Sequence, residues 1–211
     1  MEKKAFAVLL IAVSLTLVIG LLPIHGEEEI YESVVRLHVL ANSDSEEDQA
    51  LKLLVRDDIV ALTQTLLAEC KTRKEAIDVI GKNLERYKTT AEKTVSENGS
   101  SAPISVSFSE EYYPTRLYEG AAFPCGEYIS LQIKIGEAEG KNWWCVLFPP
   151  ICLSAASSVK NSATLEDSFI AAGLTPEQYR IITETESSSG GKYEIRFKIL
   201  EIFKEISRLF K

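Results

Sequence analysis

Apolar residues first alternate and then fall three and four apart along VVRLHVLANSDSEEDQALKLLV, Val34–Val55. Val35, Leu37 and Val39 interleave with Arg36, His38 and Leu40, the period of a strand. The polar run Asn42, Ser43, Asp44 and Ser45 stops it. Ser45-x-x-Asp48 is a capping pattern, and Glu46, Glu47 and Asp48 suit the positive end of a helix dipole. The spacing predicts a helix burying Leu51, Leu54, Val55, Ile59, Leu62 and Leu66. Thr72-x-x-Glu75 opens a second helix with the stripe Ile77, Ile80, Leu84, Tyr87, Ala91 and Val95, closed by Asn98-Gly99.

Strand periods follow. Ile104, Val106 and Phe108 alternate with serines, so that strand has one wet face. The stretch EYYPTRLYEGAAFPCGEY reads as a connection, and Ile129, Leu131, Ile133 and Ile135 form the next strand. GEAEGK joins it to NWWCVLF, most simply as a hairpin. In that last strand Trp144, Val146 and Phe148 share one face and Trp143, Cys145 and Leu147 the other, and both are apolar. Such a strand is covered on both sides or presents one side to a partner. Pro149-Pro150 ends it, since proline donates nothing to a ladder. Beyond Leu153 the chain turns small and polar, with a short helix expected around Leu165–Ala172 and a flexible TETESSSGG loop. Tyr193, Ile195 and Phe197 then predict a strand, and Ile199, Ile202, Phe203, Ile206 and Phe210 an amphipathic helix that packs on the second face of the tryptophan strand or lies on a membrane, the packing being favoured.

The expected fold is α+β: a mostly antiparallel β-sheet with two N-terminal helices on one face and a C-terminal helix, after a hydrophobic export segment. Residues 1–26 form the signal peptide or membrane anchor and 34–153 the main domain. Residues 154–191 are a variable flexible segment, and 192–211 complete the domain.

The export segment rests on Ala5–Ile24, an uncharged stretch after Lys3 and Lys4. At about 1.5 Å per helical residue it matches a hydrocarbon core of roughly 30 Å. Its length fits a retained anchor, while Gly26 fits a cleaved leader; both stay open. Either way the lysines remain cytosolic and the rest crosses the membrane. Net charge is −8 over 211 residues, and −9 without residues 1–26. This balance argues against nucleic acid, whose phosphates need a basic footprint, and against adsorption to anionic lipid.

Outside the cytosol, disulfides persist. Cys145 and Cys152 are either buried thiols acting as small hydrophobes or a disulfide closing a loop around Pro149-Pro150. No C-x-x-C motif is present, and no histidine neighbours a cysteine in sequence, so no metal centre is expected, and no cofactor. His38 could serve a cysteine or serine nucleophile with Asp44 or Asp48 orienting it, the reading of an exported cell-wall or peptide hydrolase. A structural histidine at a strand end fits the same pattern. Arg36 and Arg56 could hold a carboxylate, or make surface pairs. No nucleotide-binding loop, nucleophile elbow or HExxH occurs.

The segments RLHVLANSDSEEDQALKLLVRD (Arg36–Asp57), YPTRLYEG (Tyr113–Gly120), FPCGEY (Phe123–Tyr128) and GKNWWCVLFPPICL (Gly140–Leu153) resemble, in the same order, the stage II sporulation protein R family. Cys125 departs from it, standing where the family commonly has alanine. The resemblance implies a protein made in the forespore and exported into the space between the forespore and mother-cell membranes. There it would activate a membrane-embedded aspartic-type protease that removes the pro-sequence of sigma factor E. It implies a ligand with no catalytic residues, touching the membrane through its N-terminal segment if that is uncleaved. The expected partner surface is Trp143, Trp144, Pro149 and Pro150, with the turn at Asn42 and Asp44.

Overall fold

A computed structural model describes residues 27–118 and 121–150, together with Ile11, Ser14, Phe169, Ile170, 174–176, Tyr179, Ile182 and Thr183. The helix α1 (Glu27–Ser33) leads into β1 (Val35–Leu40). Three helices follow: α2 (Glu46–Leu67), α3 (Arg73–Lys82) and α4 (Leu84–Glu97). The strands β2 (Ile104–Tyr113), β3 (Arg116–Tyr118), β4 (Ala121–Phe123), β5 (Gly126–Ile135) and β6 (Asn142–Phe148) complete the order. The main sheet runs β2-β5-β1-β6, and β3 and β4 form a separate antiparallel pair.

The expected hairpin between β5 and β6 is not formed. β1 lies between them, parallel to β5 and antiparallel to β6. All of β1 except Leu40 is buried. A strand buried on both faces, Val35, Leu37 and Val39 on one and Arg36 and His38 on the other, sits at the centre of a sheet, where both edges are paired as well. The loop 136–141 therefore arches over the end of β1 and is fastened there. Glu139 N–H donates to the Asn42 carbonyl at 3.2 Å and Gly140 N–H to the Ala41 carbonyl at 3.0 Å. Two glycines make this approach possible. Gly136 has φ +59° and abuts the Asn42 side chain, and a Cβ on Gly140 would run into the Ser43 carbonyl. Gly140→Ala is expected to cost about 1–3 kcal/mol through forced backbone shifts. Gly99→Ala, at φ +75° with nothing nearby, should lose only about 1 kcal/mol. Urea midpoints of the two variants check the order.

Helix caps agree with the polar pattern. Ser45 Oγ accepts from Asp48 N–H, and Thr72 with Glu75 forms a complete capping box. The second expected helix is two helices, broken at Asn83. Asn83 Nδ2 donates to the Val79 carbonyl at 2.7 Å, and its N–H bonds Ile80 O, so a side chain and a tight turn replace the helical ladder. The stripe still reaches the core, because Ile80, Tyr87, Ala91 and Val95 are all buried. In α2 the inward face is rotated from the expected one: Leu54 is 44 % exposed, while Lys52, Val60 and Thr63 are buried. Lys52 lies on that face with its stem inward, donating from Nζ to the Lys141 carbonyl at 2.8 Å.

The sheet separates two apolar clusters. On the helix side Leu37, Val39, Leu131, Ile133 and Cys145 meet Val55, Ile59, Ile80 and Tyr87. The other side gathers Ile30, Tyr113, Phe123, Tyr128, Val146, Phe169 and Ile182. The segment Ala5–Ile24 lies outside the described residues except for Ile11 and Ser14, which are helical. Among the described residues no helix is long and apolar enough to cross a membrane. The expected strand and helix of 192–211 and the loop within 154–191 also lie outside them, and Phe169 and Ile170 of the expected Leu165–Ala172 helix are helical.

Candidate functional site

Strand β6 delivers its tryptophans to opposite faces, as alternation requires. Trp143 is half-buried against the helix-side core, with the Arg56 guanidinium 4.9 Å from its ring. Arg56 also pairs with Asp57 at 2.6 Å. Trp144 is half-buried on the other side. Phe148 does not share that side with it. An irregularity opposite Val35 and Arg36 pairs Val35 with Phe148 and Arg36 with Val146, and this slip turns Phe148 toward the helix-side core with Leu147.

Trp144 sits in a polar-aromatic cluster. The His38 ring stacks on it at 3.6 Å and 16°, and Tyr113 meets it edge-on at 4.5 Å. The Arg116 guanidinium lies 5.1 Å from its centroid. His38 is itself held at both nitrogens: Nδ1 donates to Glu111 Oε1 at 2.8 Å, and Nε2 pairs with the Asn142 amide at 2.9 Å. Among the described residues neither nitrogen meets a serine or cysteine, and neither Asp44 nor Asp48 orients the ring. This geometry makes His38 a spacer that fixes the indole.

Beneath the cluster lies Arg36, 0 % exposed. Its guanidinium carbon is 4.3 Å from the Tyr113 centroid, 4.8 Å from Tyr128, 5.2 Å from Phe123 and 5.6 Å from Tyr118. Nε donates to the Cys145 carbonyl at 3.1 Å and Nη2 to the Tyr118 hydroxyl at 2.7 Å. Among the described residues no carboxylate comes within ion-pair distance of it. Burial raises the pKa of Tyr113, Tyr118 and Tyr128 above the ordinary phenol value, against the opposing pull of Arg36. The tyrosines thus stay neutral, and π faces rather than anions hold the charge.

The turn at Asn42 and Asp44 is engaged within the chain. Asn42 Nδ2 donates to Asp48 Oδ2 at 2.9 Å, Asn42 Oδ1 accepts from Glu137 N–H, and Asp44 Oδ1 accepts from Lys141 N–H at 2.7 Å. Hydrogen bonds from Ser43 Oγ and then Asn42 lower the Asp48 pKa. Pro149 is buried and Pro150 exposed. Pro150 borders a groove of about 250 Å³ lined by Val60, Leu67, Cys70, Leu147 and Phe148. Cys145 is disulfide-bonded, Cys70 and Cys125 are thiols, and Cys152 lies outside the described residues. Among the described residues no group of three His, Cys, Asp or Glu could hold a metal ion.

The structure thus brings Trp144 together with Arg36, which the sequence singled out only as a possible carboxylate holder. It separates that pair from Trp143 and from the turn at Asn42 and Asp44. Glu111, Tyr113, Arg116, Tyr118, Phe123 and Tyr128 were not foreseen as site residues. Their one sequence signal is the aromatic density of EYYPTRLYEGAAFPCGEY, Glu111–Tyr128, together with a distant arginine inside an apolar strand.

Residues 31–158 match the family model described as Stage II sporulation protein R (spore_II_R). The Stage II sporulation protein R of Bacillus subtilis (strain 168) is 34 % identical over 181 residues, covering 82 % of this chain and 80 % of that protein. No solved structure matches. The chain belongs to the stage II sporulation protein R family.

Proposed function

We propose that this member of a sporulation family is an exported signalling protein that works by binding. From the space between the forespore and mother-cell membranes it activates a membrane-embedded aspartic-type protease, and so triggers pro-sigma-E processing in the mother cell. The observation that carries the binding reading is the state of Trp144: half-buried, and held by His38, Tyr113 and Arg116. An indole fixed before contact loses little conformational entropy on docking, which favours it as an anchor. A ligand activates only by preferring the active arrangement of its target, because equal affinity for both states shifts nothing. A rigid surface is suited to that selection.

The hydrolase reading needs a free Nε2 on His38 facing a nucleophile, and Asn142 occupies that nitrogen. Incubating the purified full chain with peptidoglycan and with unstructured peptides, beside His38→Ala, tests the choice. No turnover is expected from either protein. Turnover by the natural chain that disappears in His38→Ala would overturn the binding reading. A disulfide between Cys145 and Cys152 belongs to the same proposal, since it would brace β6 beside the Pro149-Pro150 corner. Mass spectrometry after alkylation, with and without reduction, should find these two cysteines protected until reduced.

A further inference from the structure

Four polar side-chain atoms of the residues in and beside this cluster are buried with no hydrogen-bond partner among the described residues: Arg36 Nη1, Thr115 Oγ1, Arg116 Nε and Glu111 Oε2. Two of them belong to guanidinium groups, one to a hydroxyl, and one is a carboxylate oxygen. Three of the residues are linked through rings, Arg36 over Tyr113, Tyr113 against Trp144, Arg116 over Trp144, and Glu111 on the stacked His38, and Thr115 directly precedes Arg116. A buried polar group without a partner is uncommon and costly, most of all when charged. Here the deficit is specific, because donors outnumber acceptors.

The charges point the same way. Arg36 and Arg116 are positive, and Glu111, the carboxylate of this cluster, already accepts from His38. The chain as a whole carries −8. A basic spot on an acidic molecule, walled by low-dielectric rings, attracts an anion more strongly than the same charges in water.

We propose that the Trp144 patch is a carboxylate-recognition site for an acidic side chain of a protein partner. The partly exposed Arg116 side chain makes the direct contact, Thr115 beside it offers a hydroxyl once its neighbours shift, and the sealed Arg36 supplies charge from below. The residue bearing the carboxylate lays its backbone or stem over the half-exposed indole. This deepens the signalling reading and rests on it for the identity of the partner, since the activated protease would present the acidic segment.

The experiment is calorimetric titration of the purified full chain with capped tetraglutamate, capped tetraglutamine, acetate and inorganic phosphate. Tetraglutamate is expected to bind at least about tenfold more tightly than tetraglutamine, the factor one charge-assisted hydrogen bond supplies. Arg116→Ala should lose that preference, Arg116→Lys should keep part of it, and Lys93→Ala on the exposed face of α4 should keep all of it. Where Arg116→Ala fails to fold by thermal melting, Thr115→Val gives the second arm, with weaker tetraglutamate binding expected. Equal binding of the two peptides, or undiminished binding in the site variants, would overturn the proposal. So would acetate or phosphate binding as well as the peptide, which would make this a small-anion site. The titration contains no protease, so a failure to activate one leaves its result standing and the two readings fail separately.

Discussion

Arg36→Ala is expected to lower stability by about 3–5 kcal/mol, a large share of the roughly 5–15 kcal/mol that holds a domain together. The side chain is wholly buried under four aromatic rings and bonds the Cys145 carbonyl and the Tyr118 hydroxyl. Truncation would empty the centre of the second cluster and leave both acceptors unpaired. Arg36→Met separates volume from charge. Methionine refills most of the space and removes the desolvation penalty of an unpaired cation, so a loss of only about 1–2 kcal/mol is expected, from the two orphaned acceptors. Urea unfolding of the three proteins, followed by far-ultraviolet circular dichroism, measures both differences. If methionine proves as damaging as alanine, the guanidinium itself and not its bulk holds this side of the sheet. If alanine costs less than about 1 kcal/mol, the aromatic cage is not tight.

The second large effect distinguishes the tryptophans. Trp144→Ala is expected to cost about 2 kcal/mol of stability, as a half-buried aromatic, and to weaken partner activation by about 30-fold, the equivalent of a 2 kcal/mol anchor. Trp144→Phe should recover most of the stability and only part of the activation. Trp143→Ala should behave differently. Its ring packs on the helix-side core, so its activation should fall only in proportion to the fraction unfolded. The two quantities are read from the same preparations, by urea midpoint and by substrate cleavage at matched amounts of folded protein. Activation that tracks folding in all three variants would make both residues core and nothing more.

Much of the framework was legible in local pattern. The caps at Ser45 and Thr72 depend on residues three apart, and the structure keeps both. Each strand period along the main sheet is present because alternation reflects which face meets apolar neighbours. What local pattern did not contain was partner choice. GEAEGK has the glycines of a hairpin, yet they serve to pass β1 closely, and that contact joins Asn42 to Glu137 across 95 positions. The burial of Lys52 in α2 is equally non-local, since its Nζ reaches a carbonyl 89 positions away. The break at Asn83 was closer to hand, because an asparagine side chain competes with the helical ladder.

The site was legible in one part only. Two tryptophans in a doubly apolar strand marked β6, and the structure places Trp144 within a built cluster. The cage around Arg36 was hidden because its rings, close together in β2, β3, β4 and β5, lie more than 75 positions from the arginine that they enclose. An arginine at an inward position of a buried strand is the trace it leaves, since such a charge needs something to hold it.

The central claim is that this chain switches on a protease by contact and makes or breaks no bond itself. Co-expression in a non-sporulating host of the full chain, the membrane-embedded protease and its pro-sigma substrate tests it most directly. Cleavage of the pro-sequence is predicted only when all three are present, to be lost when the protease carries an inactivated aspartate and reduced by Trp144→Ala at equal accumulation of this chain. Cleavage that persists without the protease, or that proceeds equally well without this chain, would contradict it.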